Sequence, residues 1–136
     1  MKPSSTLTSA KPSRIKGKNI LIVDDEVGVC TALGELLAGD GYSVSTVTSG
    51  DSALDLCKTR TFDLIFLDFY LPDTTGDRVV ALVKWNYPGQ AIVLMSGERP
   101  CPPLGKADWF ISKPFSPTAI REAVAKFASP AETSCQ

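Results

Sequence analysis

The chain has 136 residues, of which 43% are hydrophobic and 21% are charged, with a formal net charge of −1. This length and composition predict one globular domain, and the charge gives no overall field favouring a polyanionic partner. The sequence contains neither an apolar stretch near the ~20 residues of a membrane span nor a secretory signal. We therefore expect a cytoplasmic protein without membrane insertion.

Histidine is absent, and the four cysteines form no C-x-x-C pair. This excludes zinc sites that use histidine and catalytic systems in which histidine activates a serine or cysteine. The simplest interpretation of the cysteines is that they are unreactive thiols with a structural role in a reducing compartment.

The predicted domain covers residues 18–128. Residues 1–17 are rich in Ser, Thr, Pro and Lys and predict a disordered basic arm, and residues 129–136 predict a short tail. Such an arm could contact an acidic partner or could simply be solvated.

The first predicted elements are two strands and two helices. Residues 19–23 are continuously apolar, as in a strand covered on both faces. Apolar residues then recur at helical spacing from Val29 to Leu37, and Gly39 follows as a helix stop. Residues 42–46 alternate, which predicts a half-buried strand with Tyr42, Val44 and Thr46 facing inward. Ser49 is a candidate N-cap for the second helix.

The second half repeats this alternation. Residues 64–67 form another buried strand that ends on Asp68, and Gly76 opens a helix. The apolar face predicted for that helix contains Val79, Val80, Val83 and Trp85. Residues 91–95 and 109–111 predict two more strands. Ser116 and Pro117 predict the start of a last helix, with Ile120, Val124 and Phe127 on its apolar face. Alternating strands and helices predict an α/β fold with a flavodoxin-like, five-stranded parallel sheet and helices on both faces.

Polar residues follow directly after the apolar strands. Asp24-Asp25-Glu26 follows the first strand, Asp68 the third, Ser96 the fourth and Lys113 the fifth. The carboxyl ends of parallel strands meet at one edge of the sheet, where ligands usually bind. Neighbouring carboxylates there would repel one another without a cation, and all-oxygen ligands favour Mg²⁺ or Mn²⁺.

Such a site suits phosphoryl transfer. Lys113 and the metal ion would neutralise the phosphoryl oxygens, Ser96 would donate a hydrogen bond, and Asp68 would be the nucleophile.

The motifs that carry this chemistry are ILIVDDE (20–26), DLIFLDFYLPD (63–73) with Gly76, IVLMSG (92–97) and ISKPF (111–115). In this order and at these separations, they resemble the receiver domains of two-component response regulators, which have a CheY-like fold. The resemblance covers about residues 18–128. It implies that Asp68 is the phosphoacceptor. It also implies that Asp25, Asp68 and the backbone carbonyl of Tyr70 bind Mg²⁺ directly, whereas Asp24 acts through water.

The resemblance also implies a switch. Ser96 would move toward the phosphoryl group, Phe110 would swing inward behind it, and the Lys113-Pro114 bond is expected to be cis. The partners implied are a histidine kinase or a histidine phosphotransfer protein as donor, and an unidentified protein as output. The residues beyond 128 leave no room for a DNA-binding or enzymatic domain, so we expect a stand-alone receiver. It would catalyse only its own phosphorylation and dephosphorylation.

The segment between Ser96 and Lys113 departs from the family pattern. It contains Pro100, Pro102 and Pro103, so at most one helical turn is expected across 98–107. This predicts a shortened or missing fourth helix, and with it a non-standard partner surface or a homodimer interface. The effects of Tyr70 and Glu98 on hydrolytic water oppose each other, so the lifetime of the phosphorylated form stays open.

Each motif also has a simpler interpretation. The acidic pair could cap the first helix, Phe110 could be ordinary core, and Gly76 could only start a helix. Two other functions remain as alternatives: a Mg²⁺-dependent phosphohydrolase and a receiver used only as a binding scaffold. The hydrolase would usually place a second aspartate where Tyr70 stands.

Overall fold

The computed structural model describes residues 18–97 and 105–128. The strands and helices below therefore refer to these two ranges. The strands are β1 (Asn19–Val23), β2 (Ser43–Val47), β3 (Leu64–Asp68), β4 (Ile92–Ser96) and β5 (Trp109–Ser112). The helices are α1 (Val27–Gly39), α2 (Gly50–Thr59), α3 (Gly76–Asn86) and α4 (Pro117–Phe127).

All strand pairs are parallel, and the sheet order is β2-β1-β3-β4-β5. This confirms the predicted five-stranded α/β sheet. Because successive side chains of a strand point to opposite faces of the sheet, the central strands contribute residues to two hydrophobic cores. One core contains Ile20, Ile22 and Phe66 and lies under α1 and α4, and the other contains Leu21 and Leu67 and lies under α2 and α3.

The predicted helix starts are confirmed in detail. The Ser49 hydroxyl accepts a hydrogen bond from the Ser52 N–H, and the Ser116 hydroxyl accepts one from the Ala119 N–H. Pro117 lies in the first turn of α4, where its missing N–H costs nothing.

Two details of the predicted core are wrong. Trp85 is 85% exposed rather than core, because it lies on the side of α3 opposite the buried Val79, Val80 and Val83. Thr46 is exposed although Val44 is half-buried, because β2 is an edge strand and α1 covers only part of it.

The expected loss of the fourth helix concerns the connection from β4 to β5. Gly97 and residues 105–108, the described parts of this connection, contain no helix, and four helices accompany the sheet in the described ranges. Residues 98–104, including all three prolines and Glu98, lie outside the described residues, as do 1–17 and 129–136. Within the described residues, no helix is long and apolar enough to cross a membrane.

Candidate functional site

The carboxyl edge of the sheet gathers the polar residues that the sequence places after its strands. Asp24 directly follows β1, Asp68 ends β3, Ser96 ends β4, and Lys113 directly follows β5. These four strands are neighbours in the sheet, so residues that are far apart in the chain meet in space. A cleft of about 760 Å³ opens there and is lined by Asp25, Asp68 and Ser96, among others.

Three carboxylates form a cluster in this cleft. Asp24 is fully buried, Asp68 is nearly so, and Asp25 is exposed to solvent. One oxygen from each carboxylate lies within 4.8 Å of the others. Asp24 Oδ1 accepts a hydrogen bond from the Glu26 N–H at 3.0 Å, which fixes the turn into α1.

Lys113 provides the positive charge opposite this cluster. Its Nζ lies 2.7 Å from Asp24 Oδ2, 3.1 Å from Asp68 Oδ1 and 3.1 Å from Glu26 Oε1. Its backbone N–H donates to the Ser96 carbonyl at 2.9 Å, and the Lys113-Pro114 bond is cis, as expected. Burial disfavours the ammonium, but contacts with the three carboxylates outweigh this and raise the pKa of Lys113 above its ordinary value.

Asp68 titrates at a higher pH than an exposed aspartate. Burial raises its pKa to about 6, while its contact with Lys113 works in the opposite direction. The negative charges of Asp24 and Asp25 add to the increase. At pH 7 the side chain is therefore still mostly a carboxylate.

The donor set fits a hard divalent cation. Asp24, Asp25, Glu26 and Asp68 offer four carboxylates against the single ammonium of Lys113, which leaves a negative excess. The buried Oδ2 of Asp24 already has Lys113 Nζ as a cationic partner at 2.7 Å, so it is the negative excess and the oxygen donors that favour a metal ion. Carboxylate oxygens are the ligands that Mg²⁺ prefers.

Of the three remaining predicted site residues, Ser96 and Tyr70 line the cleft. Ser96 is buried at the floor of the cleft, and the Tyr70 ring is half-exposed at its rim, 4.8 Å from the Phe69 ring centroid. Phe110 is half-buried and packs on the core under α2 and α3. This position is compatible with either of its interpretations, so its switch role stays a prediction.

The sequence reasoning assigned no role to Glu26 or Asp73. Glu26 belongs to the same acidic run as its neighbours, and that run was the available signal for its contact with Lys113. Asp73 binds the backbone of residues 50 and 51, which lie more than 20 positions away, and no local pattern indicates that contact.

Gly76 has a steric role beyond starting a helix. A Cβ atom there would lie 2.9 Å from the Asp68 carbonyl oxygen and 2.8 Å from Leu94 Cδ2. The glycine therefore allows α3 to begin directly beside the strand end that carries Asp68.

Comparison with known proteins identifies the same kind of domain. A family model of the response regulator receiver domain matches residues 20–125. The alginate biosynthesis transcriptional regulatory protein AlgB of Pseudomonas aeruginosa is 33% identical over 125 residues, covering 88% of this chain and 26% of AlgB. The transcriptional regulatory protein ZraR of Salmonella typhimurium is 37% identical over 83 residues, covering 60% of this chain and 19% of ZraR. The chain thus spans about a quarter or less of these relatives.

Two solved structures share the fold over most of their length. The response regulator TrrA from Thermotoga maritima, in complex with Mg(2+)-BeF, superposes with a TM-score of 0.74 at 29% identity, covering 80% of this chain and 97% of TrrA. A CheY-like receiver domain protein from Methanospirillum hungatei gives 0.74 at 26% identity, covering 80% and 91%. The match over residues 20–125, the sheet order and the shared fold together show that the chain belongs to the response regulator receiver domain family of two-component signalling.

Proposed function

We propose that the chain accepts a phosphoryl group on Asp68 from a histidine kinase or a histidine phosphotransfer protein. The observation that carries this proposal is the contact of 3.1 Å between Lys113 Nζ and Asp68 Oδ1 at the floor of an open cleft. A nucleophilic carboxylate, a fixed cation and an acidic cluster that fits a metal ion are then present in one place.

In the proposed reaction, a carboxylate oxygen of Asp68 attacks the phosphorus atom of the donor's phosphohistidine. A P–O bond forms as the P–N bond breaks, and the bonding electrons stay with the imidazole. Lys113 balances charge on the phosphoryl oxygens, and the Ser96 hydroxyl donates a hydrogen bond to one of them.

Mg²⁺ is the proposed cofactor, with Mn²⁺ as a substitute. Asp25, Asp68 and the backbone carbonyl of Tyr70 would hold it, and Asp24 would act through water. When bound, the ion would neutralise the carboxylate cluster and the incoming phosphoryl oxygens. The Mg(2+)-BeF complex of the related TrrA supports this assignment.

The proposed output is a change of shape that a partner protein recognises. Movement of Ser96 toward the phosphoryl group would draw Phe110 inward from its half-buried position. The chain would act in the cytoplasm, without direct DNA binding, and a homodimer is one form that the output could take. It would act on no substrate other than its own aspartyl phosphate.

Phosphorylation of the purified chain with acetyl phosphate and MgCl₂ tests this function. We expect the intact mass to increase by one phosphoryl group in the wild type, with no increase in Asp68→Asn or after addition of EDTA. A labelled Asp68→Asn variant would show that the acceptor is wrong. A folded wild type that stays unlabelled, and that beryllofluoride with Mg²⁺ does not change, would favour the scaffold alternative.

A further inference from the structure

The loop that follows Asp68 is closed on itself. The Gly76 N–H donates to the Phe69 carbonyl at 2.6 Å, and the Leu71 N–H donates to the Thr74 carbonyl at 3.1 Å. Tyr70 and Thr75 form an antiparallel bridge between these two contacts. Residues 69–75, here called the acceptor loop, therefore form a narrow hairpin with residues 71–74 at its tip.

Asp73 fastens this tip to the first turn of α2. Its Oδ1 accepts a hydrogen bond from the Gly50 N–H at 2.9 Å, and its Oδ2 accepts one from the Asp51 N–H at 2.9 Å. The first N–H groups of a helix have no partner within the helix, and a carboxylate is favoured there by the helix dipole. These hydrogen bonds, the one from Gly50 first, lower the pKa of Asp73, so the contact persists as an ion at neutral pH.

Close packing supports the same contact. A Cβ atom on Gly50 would collide with Thr74 Cγ2 and would lie 3.1 Å from Val79 Cγ2. The absence of a side chain at Gly50 thus lets the loop tip pack against the start of α2. Asp73 accepts hydrogen bonds from the N–H groups of Gly50 and Asp51, and Ser49 accepts one from the next N–H, that of Ser52.

We propose that Asp73 is a positioning residue for the metal site, because its attachment to α2 holds the acceptor loop and thereby the Tyr70 carbonyl. The proposal rests on the proposed function, in which this carbonyl binds Mg²⁺. The base of the loop is fixed by the Gly76 contact and its tip by Asp73. Loss of the tip contact would let the ligand carbonyl move and would weaken metal binding without removing any ligand.

Calorimetric titration of the full chain with MgCl₂ tests the proposal. We expect Asp73→Ala to bind Mg²⁺ about three- to tenfold more weakly than the wild type. Asp73→Asn keeps one acceptor oxygen and should fall between the two. Two variants serve as controls. Ser49→Ala removes a cap of the same helix without changing the acceptor loop, and Asp51→Asn removes a carboxylate from the same helix turn. Both should bind Mg²⁺ within about twofold of the wild-type affinity.

Hydrogen exchange without Mg²⁺ provides a second readout. The Gly50 and Asp51 amides should exchange faster in Asp73→Ala than in the wild type. The proposal is overturned if Asp73→Ala binds Mg²⁺ like the wild type, or if Ser49→Ala weakens binding equally, which would indicate a role in helix stability alone. In both cases the proposed function survives, whereas a wild type that does not bind Mg²⁺ would overturn its metal site and this proposal together.

Discussion

The Nζ atom of Lys113 lies 3.1 Å from Oδ1 of Asp68, and both side chains are largely removed from water. The pair combines the nucleophile of the proposed reaction with the cation that would balance it. The effect of each side chain on the free energy of unfolding should therefore be measurable in the unphosphorylated, metal-free protein.

Asp68→Asn should stabilise the metal-free protein at neutral pH. The folded-state pKa of Asp68 is about 6, above the ordinary value of 3.8. Its stabilising contribution is therefore complete below about pH 4 and is lost as the pH rises through about 6. In EDTA, we expect Asp68→Asn to exceed the wild type by up to ~2–3 kcal/mol near pH 8, with no gain near pH 4. Urea unfolding across this range measures the difference, and a variant less stable than wild type near pH 8 would contradict the expectation.

Lys113→Met should destabilise the protein in the absence of metal. It leaves the buried Asp24 and its neighbours Glu26 and Asp68 without their shared cation. We expect a loss of about 2–4 kcal/mol in the free energy of unfolding in EDTA near pH 7. MgCl₂ should restore more stability to this variant than to the wild type, because the divalent ion replaces the missing charge.

Lys126→Met is the matched control. Lys126 lies 4.8 Å above the exposed Trp109 ring and away from the carboxylate cluster, so its loss should change stability little with or without Mg²⁺. An equal response of the two variants to Mg²⁺ would refute the assigned role of Lys113.

Gly76→Ala should destabilise the fold through steric overlap. The added methyl group would approach the Asp68 carbonyl oxygen, the Phe69 Cα and Leu94, all within 3.0 Å. We expect a loss of about 1–3 kcal/mol in urea unfolding. Gly28→Ala is the control, because an added Cβ meets nothing within 4 Å in α1 and should be neutral or stabilising. Equal stability of the two variants would show that the residues around Gly76 shift to accommodate the methyl group at little cost.

Arg121→Ala should cause a small, salt-sensitive loss of thermal stability. Arg121 in α4 donates two hydrogen bonds to Asp40 at the end of α1, at 2.8 and 3.0 Å. This contact lowers the pKa of Asp40, so its stabilisation is present at neutral pH and disappears as the pH falls below the ordinary aspartate range. Melting curves at several pH values should converge for variant and wild type in strong acid or about 1 M salt. A difference that stays constant with pH would exclude this ion pair as its cause.

The strands were predictable because burial leaves a continuous apolar signature. Each of β1, β3 and β4 is an apolar run. The end of each run is marked by a polar residue, namely Asp24, Asp68 and Ser96, and this placed all three at one edge of the sheet. Parallel connectivity then brings these residues together without further information.

The contacts of the loops were not predictable in the same way. Asp73 reaches Gly50 through packing between two connections, and no spacing in the chain encodes that distance. Trp85 was misplaced for a different reason: with 3.6 residues per turn it lies on the side of α3 opposite Val79, Val80 and Val83, so strict helical spacing would have excluded it from the buried face. The Asp73 contact therefore depends on three-dimensional neighbours, whereas the position of Trp85 follows from the periodicity of its own helix.

The direct pairing of β4 with β5 has a consequence for the connection between these strands. The Lys113 N–H donates to the Ser96 carbonyl, and Ser96 lies in register with Ser112, so backbone pairing holds Ser96 beside Lys113. The chain that connects these strands can therefore change in length or composition while Ser96 and Lys113 stay side by side. If Asp68 is phosphorylated as proposed, a reporter domain inserted in this connection should leave its labelling by acetyl phosphate intact.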